Sequence, residues 1–209
     1  MKPMDTVLIT AFEAFGDDQI NPTERILAEL PDFLYNAKIV KVTLPVVYNQ
    51  VFDELKPLIE KHQPKVILML GLAAGRTHIN IERVAINISD SKSPDNKGNI
   101  LRNVKINKEG QAGYFTTLPL DNIMLRLKKK GIPAQISNSA GAYVCNHIMY
   151  HVLHHIKTEK METFAGFIHV PYLPEQVLEK PGVASLDLQI MIDSILTIID
   201  ELINPVKLV

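Results

Sequence analysis

The chain holds one cysteine, Cys145, in the stretch SNSAGAYVCNHIMYHVLHH, where small and polar residues follow a strand-like segment, AQISN, and a helical pattern begins near Tyr143. A thiol in the first turn of a helix meets the positive end of the helix dipole and unpaired N–H groups, both of which favour the thiolate. That position predicts a lowered pKa and a nucleophilic sulfur. The ordinary competing reading is a buried structural cysteine. His169 closes the apolar run AGFIHV just before PYLPEQ, so it ends a buried strand, where α/β proteins place ligands and catalysts. A strand-end histidine with its hydrogen bonds met locally has the same signature. Glu82, in GLAAGRTHINIERVAIN, follows a Gly-rich loop and precedes another apolar strand. Alone it reads as a solvated carboxylate. Together the three supply a thiolate, a base and a carboxylate to orient the base, each expected at an element end on the carboxyl side of a sheet.

The elements that must position them are legible in outline. Three apolar runs, VLIT (7–10), VILML (66–70) and FIHV (167–170), lack the alternation of a half-solvated sheet and read as parallel strands covered on both faces. Helical patterns lie between them: TERILAEL after Pro22, YNQVFDELKPLIEKH from Tyr48 and DNIMLRLKKK from Asp121. Gly131 after the lysine run fits a helix C-terminus with a basic last turn. In SLDLQIMIDSILTIIDEL, Leu186, Ile190, Ile192, Ile195, Ile199 and Leu202 fall largely on one stripe, the mark of a packing helix. The pattern predicts an α/β sandwich with a mainly parallel central sheet, close to a doubly wound topology, without internal repeat. The polar stretch SDSKSPDNKGN (89–99) is longer than a mere connector, and the segment after it, up to Tyr114, reads as a hairpin excursion from the sheet.

Composition narrows the class of function. The 209 residues are 46% hydrophobic and 22% charged, an ordinary globular balance. Twenty-two basic and 23 acidic side chains give a net charge of −1, without the basic excess that nucleic acid demands. The strongest apolar run, VILMLGLAAG, is too short to span a bilayer. One cysteine forbids an internal disulfide, and the opening MKPMDTVLIT lacks a long apolar or Arg-rich leader, so a cytoplasmic location is expected. His147, His151 and His155, spaced by four with His154 beside them, could line one helix face. Without cysteine or carboxylate partners at similar spacing they read as a polar helix face, and no metal or other cofactor is expected.

The longer motifs carry a resemblance. VLITAFEAFG with INPTE, GLAAGRTHINIERVAIN, PDNKGN with YFTTLPL, SNSAGAYVCNHIMYHVLH and AGFIHVPYLPEQ, in that order, are similar to the pyroglutamyl peptidase I (pyrrolidone-carboxylate peptidase) family of cytoplasmic cysteine peptidases. The resemblance implies hydrolysis of an N-terminal pyroglutamyl residue from peptides through a thioester, with Cys145 as nucleophile, His169 as base and then acid, and Glu82 orienting the imidazole. It implies a single-domain open α/β/α sandwich over residues 1–209, a substrate slot at Phe12, Phe15, Tyr143 and Val144, and assembly into homodimers or homotetramers. The chain departs from the family pattern at Ala11, Ala14, Asp17 and Tyr143, and at Lys92, where the family carries an arginine. Lys92 is expected near the substrate, as an aid to the oxyanion, but a lysine is a point charge and not a planar fork. A lactam has no ammonium, so the slot should be apolar and free of the carboxylate that ordinary aminopeptidases need. Two other readings use the same residues: a phosphorylase-like enzyme with GLAAGR as anion cradle, and a peptide-binding protein whose slot survives without chemistry.

Overall fold

The computed structural model describes residues 4–205. Strand Asp5–Phe12 (β1) is followed by helix Pro22–Glu29 (α1), a short strand Phe33–Leu34 (β2) and strand Ala37–Leu44 (β3). Helix Tyr48–His62 (α2) leads to Val66–Leu72 (β4), then Ile79–Glu82 (β5) and Val84–Ile86 (β6). After a long excursion come Gly113–Phe115 (β7), helix Leu120–Lys129 (α3), strand Ala134–Ser137 (β8), helix Val144–Thr158 (α4), strand Phe164–Val170 (β9) and helix Leu188–Ile203 (α5).

Seven strands form one sheet in the order β2-β3-β1-β4-β9-β5-β8. The central four, β3, β1, β4 and β9, run parallel. Every residue of β4 is buried, as expected of a strand with helices on both faces. Leu8, Ile67, Met69 and Phe167 pack with α2 and α4 on one side, while Val7, Ile9, Leu68 and Ile168 pack with α1, α3 and α5 on the other. These two cores make the expected mainly parallel α/β/α sandwich. Two pairings depart from a simple parallel sheet: the short edge strand β2 runs antiparallel to β3, and on the other side β5 runs antiparallel to β9, with β8 parallel to β5.

The excursion between β6 and β7 does form outside the main sheet. Val84 pairs with Phe115 and Ile86 with Gly113 in a separate antiparallel ribbon, extended by a bridge between Ser89 and Val104. Buried Asn146 of α4 fastens its base: the side-chain nitrogen donates to Ile86 O and Ile88 O, and the side-chain oxygen accepts from Ile86 N at 2.9 Å. The polar stretch 89–99 is fixed by Asp95. Its carboxylate accepts from the backbone N–H of Tyr48, Lys97 and Asn99, so it caps α2 and folds the loop with one side chain.

Candidate active site

The site assembles at the N-terminal end of α4. Gly141, at φ +78°, turns the chain out of β8, and Tyr143 stands at the N-cap with no side-chain hydrogen bond to the helix. The first-turn N–H groups therefore have no side-chain acceptor from that position. Cys145 is the second helical residue. Its Sγ rests over Gly71 of β4, where a Cβ would stand 3.1 Å from the sulfur and 2.7 Å from Phe167 Cζ. Only a glycine leaves room there. Gly71 is in register with His169 on β9, so the sulfur and the imidazole stand over adjoining strands and line the same cavity.

His169 and Glu82 are buried, and His169 Nδ1 lies 2.8 Å from Glu82 Oε1. With Nδ1 donating to the carboxylate, Nε2 is left as the acceptor. Phe167 holds the ring from one side at a centroid distance of 4.7 Å. The expectation that all three groups stand at element ends on the carboxyl side of the sheet needs correcting for Glu82. Because β5 is reversed, Asn80 pairs with His169, and Glu82 lies two residues deeper along the sheet, with no solvent exposure. The reversal puts the carboxylate beneath the imidazole rather than beside it at the rim.

The expected thiol pKa is also corrected. Burial pushes the Cys145 thiol up to about 12, and the negative charge of Glu82 adds to the rise. The sulfur is partly exposed, but into a space walled by Phe12, Phe15 and Val144 rather than into bulk water. A helix end favours an anion by about 0.3–1 kcal/mol, while desolvation of a buried charge costs roughly 4 kcal/mol or more. Desolvation outweighs the helix end, and the thiol pKa rises rather than falls.

Cys145 and His169 open into one cavity of about 310 Å³, at the small end of ligand pockets. Phe12, Phe15, Tyr143 and Val144 all line it. Among the described residues no aspartate or glutamate does, and Arg76 is the sole permanently charged one on the wall.

Comparison with known proteins agrees with this geometry. A family model described as pyroglutamyl peptidase matches residues 5–204. The chain is 42% identical over 198 residues to pyrrolidone-carboxylate peptidase 1 of Caldanaerobacter subterraneus, covering 95% of this chain and 98% of that protein. A variant pyrrolidone carboxyl peptidase of Pyrococcus furiosus superposes with a TM-score of 0.92 at 39% identity, over 95% of this chain and 98% of that one. The pyroglutamyl peptidase I of Bacillus amyloliquefaciens gives 0.91 at 36%, over 96% of each. The chain belongs to the pyroglutamyl peptidase family. It is a cysteine peptidase that removes N-terminal pyroglutamate.

As a pyroglutamyl peptidase it carries two further departures from the sequence-based picture. Lys92 is exposed on the 89–99 loop and is not part of the cavity wall. The loop's backbone is held by Asp95 on α2 and by Tyr143, whose hydroxyl donates to Pro94 O at 2.8 Å, and this leaves residue 92 outside. The histidines of α4 do not form a polar face. His151 stacks on Phe52 at 4.9 Å and 14°, buried His147 packs edge-on against Tyr48 and hydrogen-bonds Ser89 Oγ at 3.0 Å, and His154 bonds Tyr114 and Asn107. Burial holds the pKa of His147 down to about 3 and of His151 to about 4. Among the described residues no group of three or more His, Cys, Asp or Glu is arranged to hold a metal.

Gly71 and Arg76 were not singled out from the sequence. A glycine inside the uninterrupted apolar strand VILMLGL is a signal of close approach. Arg76 had no such signal beyond its place in GLAAGR.

Proposed function

We propose that Cys145, His169 and Glu82 carry the hydrolysis and that Phe12, Phe15, Tyr143 and Val144 form the slot for the pyroglutamyl ring. The observation that supports this most is the 2.8 Å bond from His169 to buried Glu82 below a thiol that opens into a small cavity without a carboxylate on its wall. With burial raising the thiol pKa, attack and proton transfer are coupled in this reading. His169 Nε2 takes the Sγ proton as sulfur adds to the carbonyl joining the lactam residue to the next amino acid. The N–H groups of the first turn of α4 receive the oxyanion. The imidazolium, stabilised by Glu82, protonates the leaving amine as the C–N bond breaks, which yields a pyroglutamyl thioester. Water, deprotonated by His169, then releases pyroglutamate and restores the thiol.

Prolyl substrates fit this site badly. Their ring has the same size but carries an ammonium, which would enter a cavity with Arg76 and no counterion, and it lacks the lactam oxygen. Sites built to hydrogen-bond a substrate group reject analogues without it by roughly 10⁴-fold. A chromogenic pyroglutamyl amide should exceed the prolyl amide by at least about 10³ in kcat/KM, with no dependence on inorganic phosphate. Comparable turnover of the prolyl amide would remove the assigned slot, and phosphate-dependent turnover would favour the phosphorylase reading.

The same reading treats 1–209 as one catalytic domain acting on peptides as a homodimer or homotetramer in the cytoplasm. A nucleophile that must remain a free thiol suits a reducing compartment, and no helix of the described residues is long and apolar enough to cross a membrane. Exposed Phe115 and Ile86 of the β6–β7 ribbon offer an apolar surface for self-association. Light scattering that gave a monomer mass at assay concentration would exclude the oligomer.

A further inference from the structure

Arg76 follows the Ala73–Gly75 turn after β4, and its guanidinium is held in place from several directions. Nη1 donates to Asn80 Oδ1 at 2.8 Å, Nη2 donates to Ser139 O at 3.1 Å, and Nη1 stands 3.4 Å from Glu82 Oε1. Asn80 is itself buried and immobilised: its Oδ1 also accepts from Gln135 Nε2, its Nδ2 donates to His78 O, and it faces His169 across the β5–β9 pairing. The arginine is thus tied to the loop that precedes α4 and to the strand that carries Glu82.

Glu82 needs such a neighbour. Its carboxylate has no solvent exposure, Oε1 is used by His169, and Oε2 has no hydrogen-bond partner. A buried carboxylate whose main partner is a neutral imidazole lacks a compensating charge and favours taking up a proton. Protonation would be harmful here. A Glu82 carboxyl group would donate to Nδ1, the imidazole proton would move to Nε2, and His169 could no longer accept from Cys145.

We propose that Arg76 is a positioning residue of the hydrolysis, keeping Glu82 ionised so that His169 holds its proton on Nδ1 and presents Nε2 to the thiol. The inference rests on the triad reading above. The titratable and charged groups around the Glu82 carboxylate are His169 from β9, Arg76 from the loop after β4 and Cys145 from α4. Arg76 offsets the charge of Glu82 across 3.4 Å. In the tetrahedral intermediate the imidazolium and the oxyanion offset each other in turn.

The sign of the pH effect follows. Removing the cation makes protonation of Glu82 and of His169 easier, and both disable the base. The acid limb of kcat/KM should therefore move to higher pH, by roughly one unit or more, as expected for loss of an opposite charge within 4 Å of a carboxylate. In R76Q and in R76M, which is of similar length and uncharged, kcat/KM for a pyroglutamyl amide at neutral pH should fall about 10- to 100-fold with the limb displaced. R76K should keep the limb in place while losing the fork. Titration of the His169 ring by NMR in unreacted protein should show the same upward displacement in R76Q, independently of turnover. Loss of activity with the limb and the His169 titration unmoved would reduce Arg76 to a loop clamp and overturn the proposal. So would unchanged kinetics, or failure of both neutral variants to fold. Absence of pyroglutamyl amide turnover in the parent protein would instead overturn the triad reading, a separate result.

Discussion

Helix α4 carries two histidine environments on one scaffold, and they do opposite things. At its N-terminal end, His169 reaches the helix from β9 and rests on a buried carboxylate 2.8 Å away. Along its body, His147 and His151 are also largely buried, but their neighbours are Tyr48, Phe52 and Ser89, with no anion in hydrogen-bond contact. Burial alone drives a histidine to stay neutral and inert, and a carboxylate partner lets it accept a proton during reaction. The spacing of four along α4, conspicuous in the sequence, encodes packing against α2. The histidine proposed as the base lies 14 residues beyond the last of the cluster, on another element.

The largest effects break the first environment. Cys145→Ser should lower kcat by at least about 10⁴-fold, because a hydroxyl with a far higher intrinsic pKa stands in an apolar cavity and loses the nucleophile. Near-parental turnover would show that Cys145 is not the attacking group. His169→Ala should cost nearly as much, since the base and its proton leave together. Glu82→Gln should cost less, about 10- to 10³-fold, because the amide cannot hold the imidazolium although the tautomer can still form. Equal activity of Glu82→Gln and the parent would mean the wrong carboxylate has been assigned.

The second environment is broken by acid. The pKa values of His147 and His151, about 3 and 4 in the fold, lie below the ordinary 6.5, so both are neutral in the native state and take up protons on unfolding. Their native stability is present in full above pH 6.5 and is lost as pH falls toward 4, by up to about 1.4 kcal/mol per pH unit for each. His151→Phe preserves the ring stack on Phe52 and removes one titration. Chemical denaturation at pH 7 and at pH 5 should show a smaller acid loss in this variant, with kcat at neutral pH unchanged. An identical acid slope would show that other groups govern acid unfolding.

This contrast also explains what the sequence could and could not reveal. Apolar runs and helical stripes are local, so β1, β4, β9 and the limits of α2 at Tyr48 and His62 were readable from composition. Strand β3, AKIVKVTL, was missed because Lys38 and Lys41 interrupt its run. The direction of β5 depends on the return path of the whole chain, so neither the burial of Glu82 nor its reach to His169 follows from GLAAGRTHINIERVAIN. The thiol pKa turned on the same distinction: a helix end is visible in one dimension, while the surroundings of Cys145 bring Gly71 and the cavity-lining Phe12 and Phe15 from distant parts of the chain. Lys92 likewise lies on a loop tied to Tyr143 of the cavity wall through Pro94, yet is itself exposed outside the wall.

The smallest expected effect tests whether the slot tolerates change at its rim. Tyr143 packs edge-on to Tyr48 at 5.5 Å and against Phe15 at 6.3 Å, and its hydroxyl bonds Pro94 O on the 89–99 loop. That loop has a second anchor in Asp95, which accepts from three backbone N–H groups, so the hydroxyl is one tie among several. Removing a neutral hydrogen bond costs about 1 kcal/mol when its partner is left without another, and the Pro94 carbonyl lies on an exposed residue open to water. Tyr143→Phe keeps the ring and should therefore raise KM for a pyroglutamyl amide by no more than about fivefold, leave kcat within about twofold and lower Tm by roughly 2–4 °C. Asp95→Ala, which uncaps α2 and frees three N–H groups at once, should raise KM more than Tyr143→Phe does. A kcat loss above about tenfold in Tyr143→Phe would place the hydroxyl near the reacting atoms rather than at the rim.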